Sequence, residues 1–194
     1  MKLNISFWLI LTFNTAFSQV HVATQHNNLA RTGWNNKETI LHTRNVARNT
    51  FGLLYTRAVD DQIYAQPLVA SKVSIGGGTH NVVLVATVNN TLYAFDADNI
   101  STSTPYWQRN LTPTGARPPK NSDMTGACGG FYFDFSGNMG IVGTPVIDTV
   151  SQTIYVVARD VSSGVHHQVL HAIDIKTGEE KTNSPVAISA VVSG

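Results

Sequence analysis

The sequence contains little cysteine and little charge. Cys128 is the only cysteine, so the chain has no second thiol with which to form an internal disulfide. In an exported protein an odd thiol is either free or paired with a cysteine in other sequence, and both alternatives stay open. Charged residues make up 13% of the chain, with 13 Lys and Arg against 12 Asp and Glu and no run of like charge. This balance argues against a nucleic-acid partner, which requires a basic surface, and against binding to a membrane surface.

Long apolar runs are confined to the beginning of the chain. Lys2 precedes an apolar run over residues 5–13, and the sequence Ala16-Phe17-Ser18 offers small residues of the kind that signal peptidases read. The pattern predicts a signal peptide over 1–18 that is cleaved after Ser18, an N-terminal extension over 19–50, and a secreted or periplasmic location. No later segment approaches the roughly 20 apolar residues that span a bilayer, so no membrane span is predicted.

Helical periodicity is also nearly absent. Short runs rich in β-branched and aromatic residues are instead bounded by Gly, Asn, Asp and Pro throughout the chain, which predicts an all-β protein. The second strand of each repeat, described below, is continuously apolar, which predicts burial on both faces. The predicted strands are 51–59, 64–75, 81–88, 91–96, 106–111, 141–148, 153–159, 169–174 and 185–192.

Two parts of the chain repeat one another. The motif around Pro67 recurs around Pro145, and the motif around Asp96 recurs around Asp174; both pairs are 78 positions apart. The apolar runs between these anchors, which end at Ala86 and Ala158, align with an offset of 72. Constant ends with insertions between them are expected where strands are constrained and loops are free. We call residues 62–111 unit 1 and residues 141–192 unit 2.

Four-stranded antiparallel units in tandem are typical of β-propeller blades. A propeller closes with four to eight blades, so two units predict the N-terminal part of a longer propeller whose remaining blades come from further sequence. The partial propeller is predicted to span residues 51–194. Residues 51–59 are predicted to be a clasp strand that completes the last blade of the full propeller. The alternative is a small β-sandwich of about nine strands, which the repeat offset disfavours.

Several motifs resemble the quinoprotein repeats that bind pyrroloquinoline quinone in some dehydrogenases. They are Ala172-Ile173-Asp174-Ile175-Lys176-Thr177-Gly178, Ala94-Phe95-Asp96 followed by Trp107, and Thr144 to Asp148 leading to Thr153-Ile154-Tyr155. The beginning of the extension, with Thr24 to Asn28 and Arg31-Thr32-Gly33, is similar to exported bacterial proteins that have such a propeller. Unit 2 departs from the motif because Thr182 stands where the Trp that joins neighbouring blades is expected.

This resemblance alone implies pyrroloquinoline quinone and calcium as cofactors. Enzymes of the superfamily hold the quinone beside a calcium ion with Glu, Asn and Asp ligands, and no matching cluster is found in this sequence. No catalytic or metal-binding residue is therefore assigned, and the cofactor-binding residues stay unknown.

The other polar clusters are expected to have structural roles or to be exposed to solvent, rather than to bind metals or to catalyse a reaction. Asp96-Ala97-Asp98-Asn99 has too few oxygens for calcium, and Asp96 is expected to accept backbone N–H bonds in a blade turn. The zinc interpretation of His166, His167 and His171 is disfavoured against exposed hairpin histidines. The pairs Asp60-Asp61 and Glu179-Glu180 are expected to be solvated charges.

The connection 112–140 between the units is long enough to be functional. Its aromatic residues either form a binding lip or pack over the gap between blades, and the sequence leaves both open. They are Phe131, Tyr132, Phe133 and Phe135.

Two functions follow as hypotheses: an exported propeller that binds protein or carbohydrate, and alternatively a quinone-dependent dehydrogenase with ligands beyond residue 194. The first is preferred because the cofactor cluster is not seen.

Overall fold

A computed structural model of the chain describes residues 21–124, 126, 135 and 137–190. These residues form an all-β structure, as predicted, with eight strands in two sheets. A single turn of 3-10 helix over Asn121–Asp123 is the only helix in the described ranges, and nothing there could cross a membrane as a helix. The strands are β1 Leu68–Ile75, β2 Gly78–Ala86, β3 Thr91–Asp96, β4 Trp107–Asn110, β5 Val146–Asp148, β6 Thr153–Ser162, β7 Val165–Asp174 and β8 Val186–Ala187.

Each sheet is an antiparallel meander of four consecutive strands, β1-β2-β3-β4 in unit 1 and β5-β6-β7-β8 in unit 2. The turns that join the strands occur where the sequence predicts them. Gly76 and Gly77 have positive φ between β1 and β2, and Asn90 has φ of 61° in the hairpin between β2 and β3. These conformations suit Gly and Asn, which explains why the turns are local and predictable.

The predicted clasp strand is wrong, because residues 51–59 form no strand in the structure. The segment is held against unit 1 by side chains: the Tyr55 hydroxyl donates to the Ala97 carbonyl at 2.5 Å and Arg57 donates to the Asn99 carbonyl at 2.6 Å. Val59 packs on the cluster formed by Val85, Tyr93 and Phe95. These contacts hold residues 55–59 against unit 1, whereas residues 51–54 are exposed.

Residues of the N-terminal extension pair with the sheets, which the sequence did not predict. Val22 exchanges both backbone hydrogen bonds with Val69 of β1, each at 3.0 Å, and the Ala23 carbonyl accepts from the Ile147 N–H of β5 at 2.7 Å. The first strands of both sheets are therefore joined by one short extended segment.

The strand pairing corrects the repeat alignment by one residue. Leu84 pairs with Leu68 and Ala94, while Tyr155 pairs with Val146 and Ala172. Leu84 and Tyr155 are therefore equivalent, and they are 71 positions apart, not 72. A shift of one residue exchanges the two faces of a strand, so this difference decides which side chains of unit 2 correspond to the buried ones of unit 1.

The two sheets stack in the same sense around a shared core. Unit 1 contributes the face that contains Leu68, Leu84 and Ala94. The equivalent face of unit 2 points away from this core, and unit 2 instead contributes its other face, which contains Ile154 and Ile173. The face of unit 2 that is equivalent to the buried face of unit 1 is exposed: Val146 and Tyr155 are each 40% exposed and Val157 is 37% exposed. The prediction that the second strand is buried on both faces therefore holds for β2 and is wrong for β6.

Trp107 joins the two units. Its indole N–H donates to the Ile175 carbonyl at 2.8 Å, and its ring lies against Gly178 in the turn after β7. The structurally equivalent position in unit 2 is Thr182, because Tyr106 and Lys181 donate equivalent backbone bonds to Ala94 and Ala172 at 2.8 Å. The alignment that placed Thr182 at the Trp position agrees with this pairing.

Candidate functional site

An open pocket of about 770 Å³ lies between the connection that follows unit 1 and the β6–β7 hairpin. The hairpin β2–β3 is at the same end of the sheets, since β2 and β6 run in the same direction through equivalent pairings. The pocket therefore lies at the end of the sheets that carries the β2–β3 and β6–β7 hairpins. Its lining residues are Gly115, Ala116, Arg117, Ser122, Asp123, Val161, Ser163, Gly164 and His166.

The connection is attached to β6 through Arg117. Its backbone pairs with that of Val161 in both directions, at 3.2 and 2.8 Å, which places residues 115–123 across the hairpin. The Arg117 guanidinium donates to both carboxylate oxygens of Asp123 at 2.6 and 2.7 Å, and the Lys120 N–H donates to Asp123 at 2.7 Å. Because Arg117 and Asp123 neutralise one another, the pocket wall has no net charge from this pair.

The same contacts determine the ionisation of the pair. The bidentate hydrogen bond from Arg117 holds the pKa of Asp123 well below its usual range, and Asp123 in turn raises the pKa of Arg117. A carboxylate that stays ionised at neutral pH has no proton to give, so Asp123 is unsuited to general acid catalysis.

The three histidines of β7 have different partners and do not converge. His166 lines the pocket, His167 contacts Asp160 through Nδ1 at 2.8 Å, and His171 contacts Glu180 at 2.5 Å. Within the described ranges no three His, Cys, Asp or Glu side chains form a group that could hold a metal ion. The expectation of exposed histidines is met by His166 and is wrong for His171, which is buried in the sheet packing.

The paired carboxylates are also separated. Glu179 is exposed and pairs with Arg109 at 2.9 Å, whereas Glu180 accepts hydrogen bonds from His171 and from the Ser184 hydroxyl at 2.5 Å. Asp61 accepts from the Asn138 amide at 2.8 Å. Adjacent acids on an extended chain point in opposite directions, so each finds its own partner.

Asp60 is more than the solvated charge that the sequence predicts. Its carboxylate accepts hydrogen bonds from Thr87 at 2.7 Å, Asn89 at 2.8 Å and Thr91 at 2.5 Å, which attach residue 60 to the β2–β3 hairpin. Burial favours the neutral acid, but these hydrogen bonds, of which that from Thr91 is the strongest, lower the pKa of Asp60 below its usual value. Asp60 is a structural anchor for the chain that enters unit 1.

Asp96 has the structural role that the sequence predicts. Its Oδ1 accepts the backbone N–H groups of Asp98 and Asn99, both at 2.9 Å, and its Oδ2 accepts the Tyr106 hydroxyl at 2.6 Å. The equivalent Asp174 accepts the Lys176 N–H at 2.8 Å and the Lys181 ammonium at 2.9 Å. Both carboxylates thus close the same turn in the two units.

These contacts shift the pKa values of the turn. Burial of Asp96 favours its neutral form, but the hydrogen bonds from Tyr106 and from the backbone outweigh burial and lower its pKa. Burial and the contact with Asp96 raise the pKa of Tyr106 to about 12. Asp174 follows the same pattern, with burial outweighed by Lys181 and the backbone of Lys176, and its pKa is also lowered.

Replacing Asp96 with asparagine is therefore expected to reduce the loss in free energy of unfolding that occurs as the pH falls. A carboxyl whose folded pKa is depressed stabilises the protein above its unfolded pKa of 3.8, and this contribution is lost as the pH falls through the lower folded value. Urea denaturation of wild type and Asp96→Asn between about pH 6 and pH 2 should show a difference that shrinks with acid. A difference independent of pH would contradict the assignment, and Asp174→Asn is the matched variant in unit 2.

The aromatic residues of the connection are only partly accounted for. The Phe135 ring packs on Tyr64 with centroids 4.5 Å apart, and the Asn121 amide donates to the Phe135 carbonyl. Phe135 is therefore in contact with an exposed aromatic side chain of unit 1. Phe131, Tyr132 and Phe133, and also Cys128, lie outside the described residues.

No sequence pattern indicated the pocket residues Arg117, Ser122, Asp123 and Ser163. Arg117 and Asp123 are six positions apart in an irregular segment, and their approach to β6 depends on the pairing with Val161. Neither the contact between Arg117 and Asp123 nor the approach of this segment to β6 can be recognised from a periodic pattern in the sequence.

Comparisons with protein-family models, with curated proteins and with solved structures found no match to the chain.

Proposed function

We propose that the chain forms part of a quinoprotein-like β-propeller that acts as an exported module for binding a protein or carbohydrate ligand. The propeller assignment is supported by the stacking of the units in the same sense. Successive blades of a propeller pack with the front of one sheet on the back of the next, and unit 1 meets unit 2 in this way.

The exposed face of unit 2 supports the same assignment. Val146, Tyr155 and Val157 occupy the positions of Leu68, Leu84 and Ala86, which unit 2 covers in unit 1. An apolar sheet face of this kind is normally packed against another layer. A further four-stranded unit, presenting the face that unit 2 presents to unit 1, is the occupant that this equivalence favours.

The binding assignment rests on one observation, the open polar pocket beside Arg117. Its wall offers the hydroxyls of Ser122 and Ser163 and the imidazole of His166, while the charges of Arg117 and Asp123 are already paired. Hydroxyl and imidazole groups both donate and accept hydrogen bonds, which suits the hydroxyls of a sugar or the amides of a peptide. The pairing of Asp123 with Arg117 leaves these neutral groups as the ones available to a ligand.

The test is a binding screen of the purified mature protein against oligosaccharides and unfolded peptides by isothermal titration calorimetry. For any ligand found, the double variant Ser122→Ala/His166→Ala is expected to raise the Kd about tenfold, because two modest hydrogen bonds are lost. Thr104→Ala is the control, since this exposed residue lies in the β3–β4 connection at the opposite end of the sheet. A ligand whose Kd does not change in the double variant would place the binding surface elsewhere.

The quinone-dependent dehydrogenase stays a prediction from the resemblance. Titration of the same protein with pyrroloquinoline quinone, with and without calcium, separates it from the binding module. Tight binding that requires calcium would favour the dehydrogenase. Binding of a sugar or peptide at the Arg117 pocket, with no quinone bound, would favour the module.

A further inference from the structure

We propose that a second pocket, between the N-terminal extension and the beginning of β1, binds a neutral carbohydrate. The pocket has a volume of about 400 Å³ and is lined by Val22, His26, Asn27, Gly33, Asn35 and Gln66. It shares no lining residue with the Arg117 pocket and does not depend on that site.

The loop that forms the pocket is held rigidly by its own hydrogen bonds. The Gly33 N–H donates to the His26 carbonyl at 2.9 Å, and the Asn27 amide donates to the Trp34 carbonyl at 2.8 Å. His26, Asn27 and Arg31 have φ of 59°, 74° and 53°, although none of them is glycine. Residues in this region cost free energy and persist only where their surroundings hold them, which is common at ligand sites.

The loop is also fastened to both sheets through Gln66. The His26 N–H donates to Gln66 Oε1 at 3.0 Å, and the Gln66 N–H donates to the Thr144 hydroxyl, just before β5, at 3.0 Å. The Gln66 side chain is thereby held in one orientation at the pocket wall. A preoriented amide loses little conformational entropy when it binds a ligand.

Polar groups in the pocket are left available by these contacts. Within the described chain, the His26 ring, Asn27 Oδ1 and Gln66 Nε2 make no hydrogen bond to other residues. Together they supply both donors and acceptors. None of the lining residues is Lys, Arg, Asp or Glu, so an anionic or cationic ligand would find no opposite charge there.

An exposed tryptophan adjoins the pocket in the chain, although it is not one of the lining residues. Trp34 lies between the lining residues Gly33 and Asn35 in the chain and is 68% exposed. Exposed Trp combines a flat apolar face with a polar N–H, and such residues dominate recognition surfaces. A neutral carbohydrate matches this set because it presents hydroxyls along its edges and C–H groups on its faces.

The experiment titrates the full mature chain with maltose, cellobiose and N,N′-diacetylchitobiose, followed by tryptophan fluorescence and by calorimetry. At least one of these neutral disaccharides is expected to bind saturably. Gln66→Glu keeps an oxygen that accepts the His26 N–H but removes the amide donor, and it is expected to raise the Kd about tenfold. Trp34→Ala is expected to raise the Kd by a similar factor, and because Trp34 is exposed this variant does not disturb a core.

The matched control is Leu29→Ala in the same loop, because Leu29 is 91% exposed and does not line the pocket. Its Kd should equal that of wild type, as should that of Ser122→Ala/His166→Ala, which separates this site from the Arg117 pocket. The proposal is overturned if none of the three disaccharides binds. It is also overturned if a bound disaccharide keeps its wild-type Kd in both Gln66→Glu and Trp34→Ala.

Discussion

Replacing Gly178 with alanine is expected to lower the free energy of unfolding by about 2–4 kcal/mol. Two effects add. Gly178 has φ of +73°, which an L-residue adopts at a cost, and a Cβ built there would lie 2.7 Å from Cδ2 and 2.8 Å from Cε3 of Trp107. The indole cannot retreat freely because its N–H is bonded to the Ile175 carbonyl at 2.8 Å. The substitution therefore strains the contact that joins the two units.

The control for this prediction is Gly77→Ala, measured by urea denaturation alongside Gly178→Ala. Gly77 has φ of +80°, but a Cβ there would meet no atom within 4 Å. Gly77→Ala thus reports the backbone cost alone, about 1–2 kcal/mol. The excess loss in Gly178→Ala measures the collision with Trp107, and equal losses in the two variants would show that this contact does not join the units.

The second large effect is expected at Asn90, where aspartate should lower the free energy of unfolding by about 3–5 kcal/mol at neutral pH. Asn90 is completely buried in the β2–β3 hairpin. Its amide donates to the Arg159 carbonyl of unit 2 at 2.8 Å and to the Thr112 hydroxyl at 3.2 Å. Aspartate would replace this donor with a buried negative charge that faces a carbonyl oxygen.

Asn90→Gly is the comparison that isolates the charge. Glycine accepts the φ of 61° at this position and removes the side chain with its hydrogen bonds and packing but adds no charge, so a loss of about 1–3 kcal/mol is expected. Burial without a partner favours the neutral acid, so the deficit of Asn90→Asp should shrink as the pH falls, whereas that of Asn90→Gly should not. If the two variants lose the same free energy at every pH, the buried negative charge predicted for Asn90→Asp is wrong.

Some of the candidate site could be inferred from local sequence and some could not. The role of Asp96 was predictable because its partners, Asp98 and Asn99, are the next residues along the chain. The pocket beside Arg117 was not, because it depends on a backbone pairing with Val161, 44 positions away. The same holds for the pocket at Gln66, because His26 of the extension, which bonds to Gln66 there, lies 40 positions earlier in the sequence.

The two aromatic residues that bear on the pockets illustrate the same limit. Phe135 and Trp34 both lie in irregular segments, and only their tertiary positions distinguish them. Phe135 packs on Tyr64, whereas Trp34 stays exposed beside a pocket. Composition alone cannot separate packing from recognition, because both use the same side chains.

By itself the sequence determined the eight strands of the two sheets in outline, several of the turns, and the fact of a repeat. Alternating β-rich runs, Gly and Asn at positive φ, and anchors 78 positions apart are local or periodic features, and the all-β fold with two four-stranded sheets follows from them. Tertiary structure alone decided the rest: the register that makes Tyr155 equivalent to Leu84, the course of residues 51–59, the burial of His171, and both pockets. Hydrogen bonds between distant strands set the register, and a one-residue difference reverses every side chain, which no pattern within a single strand reveals.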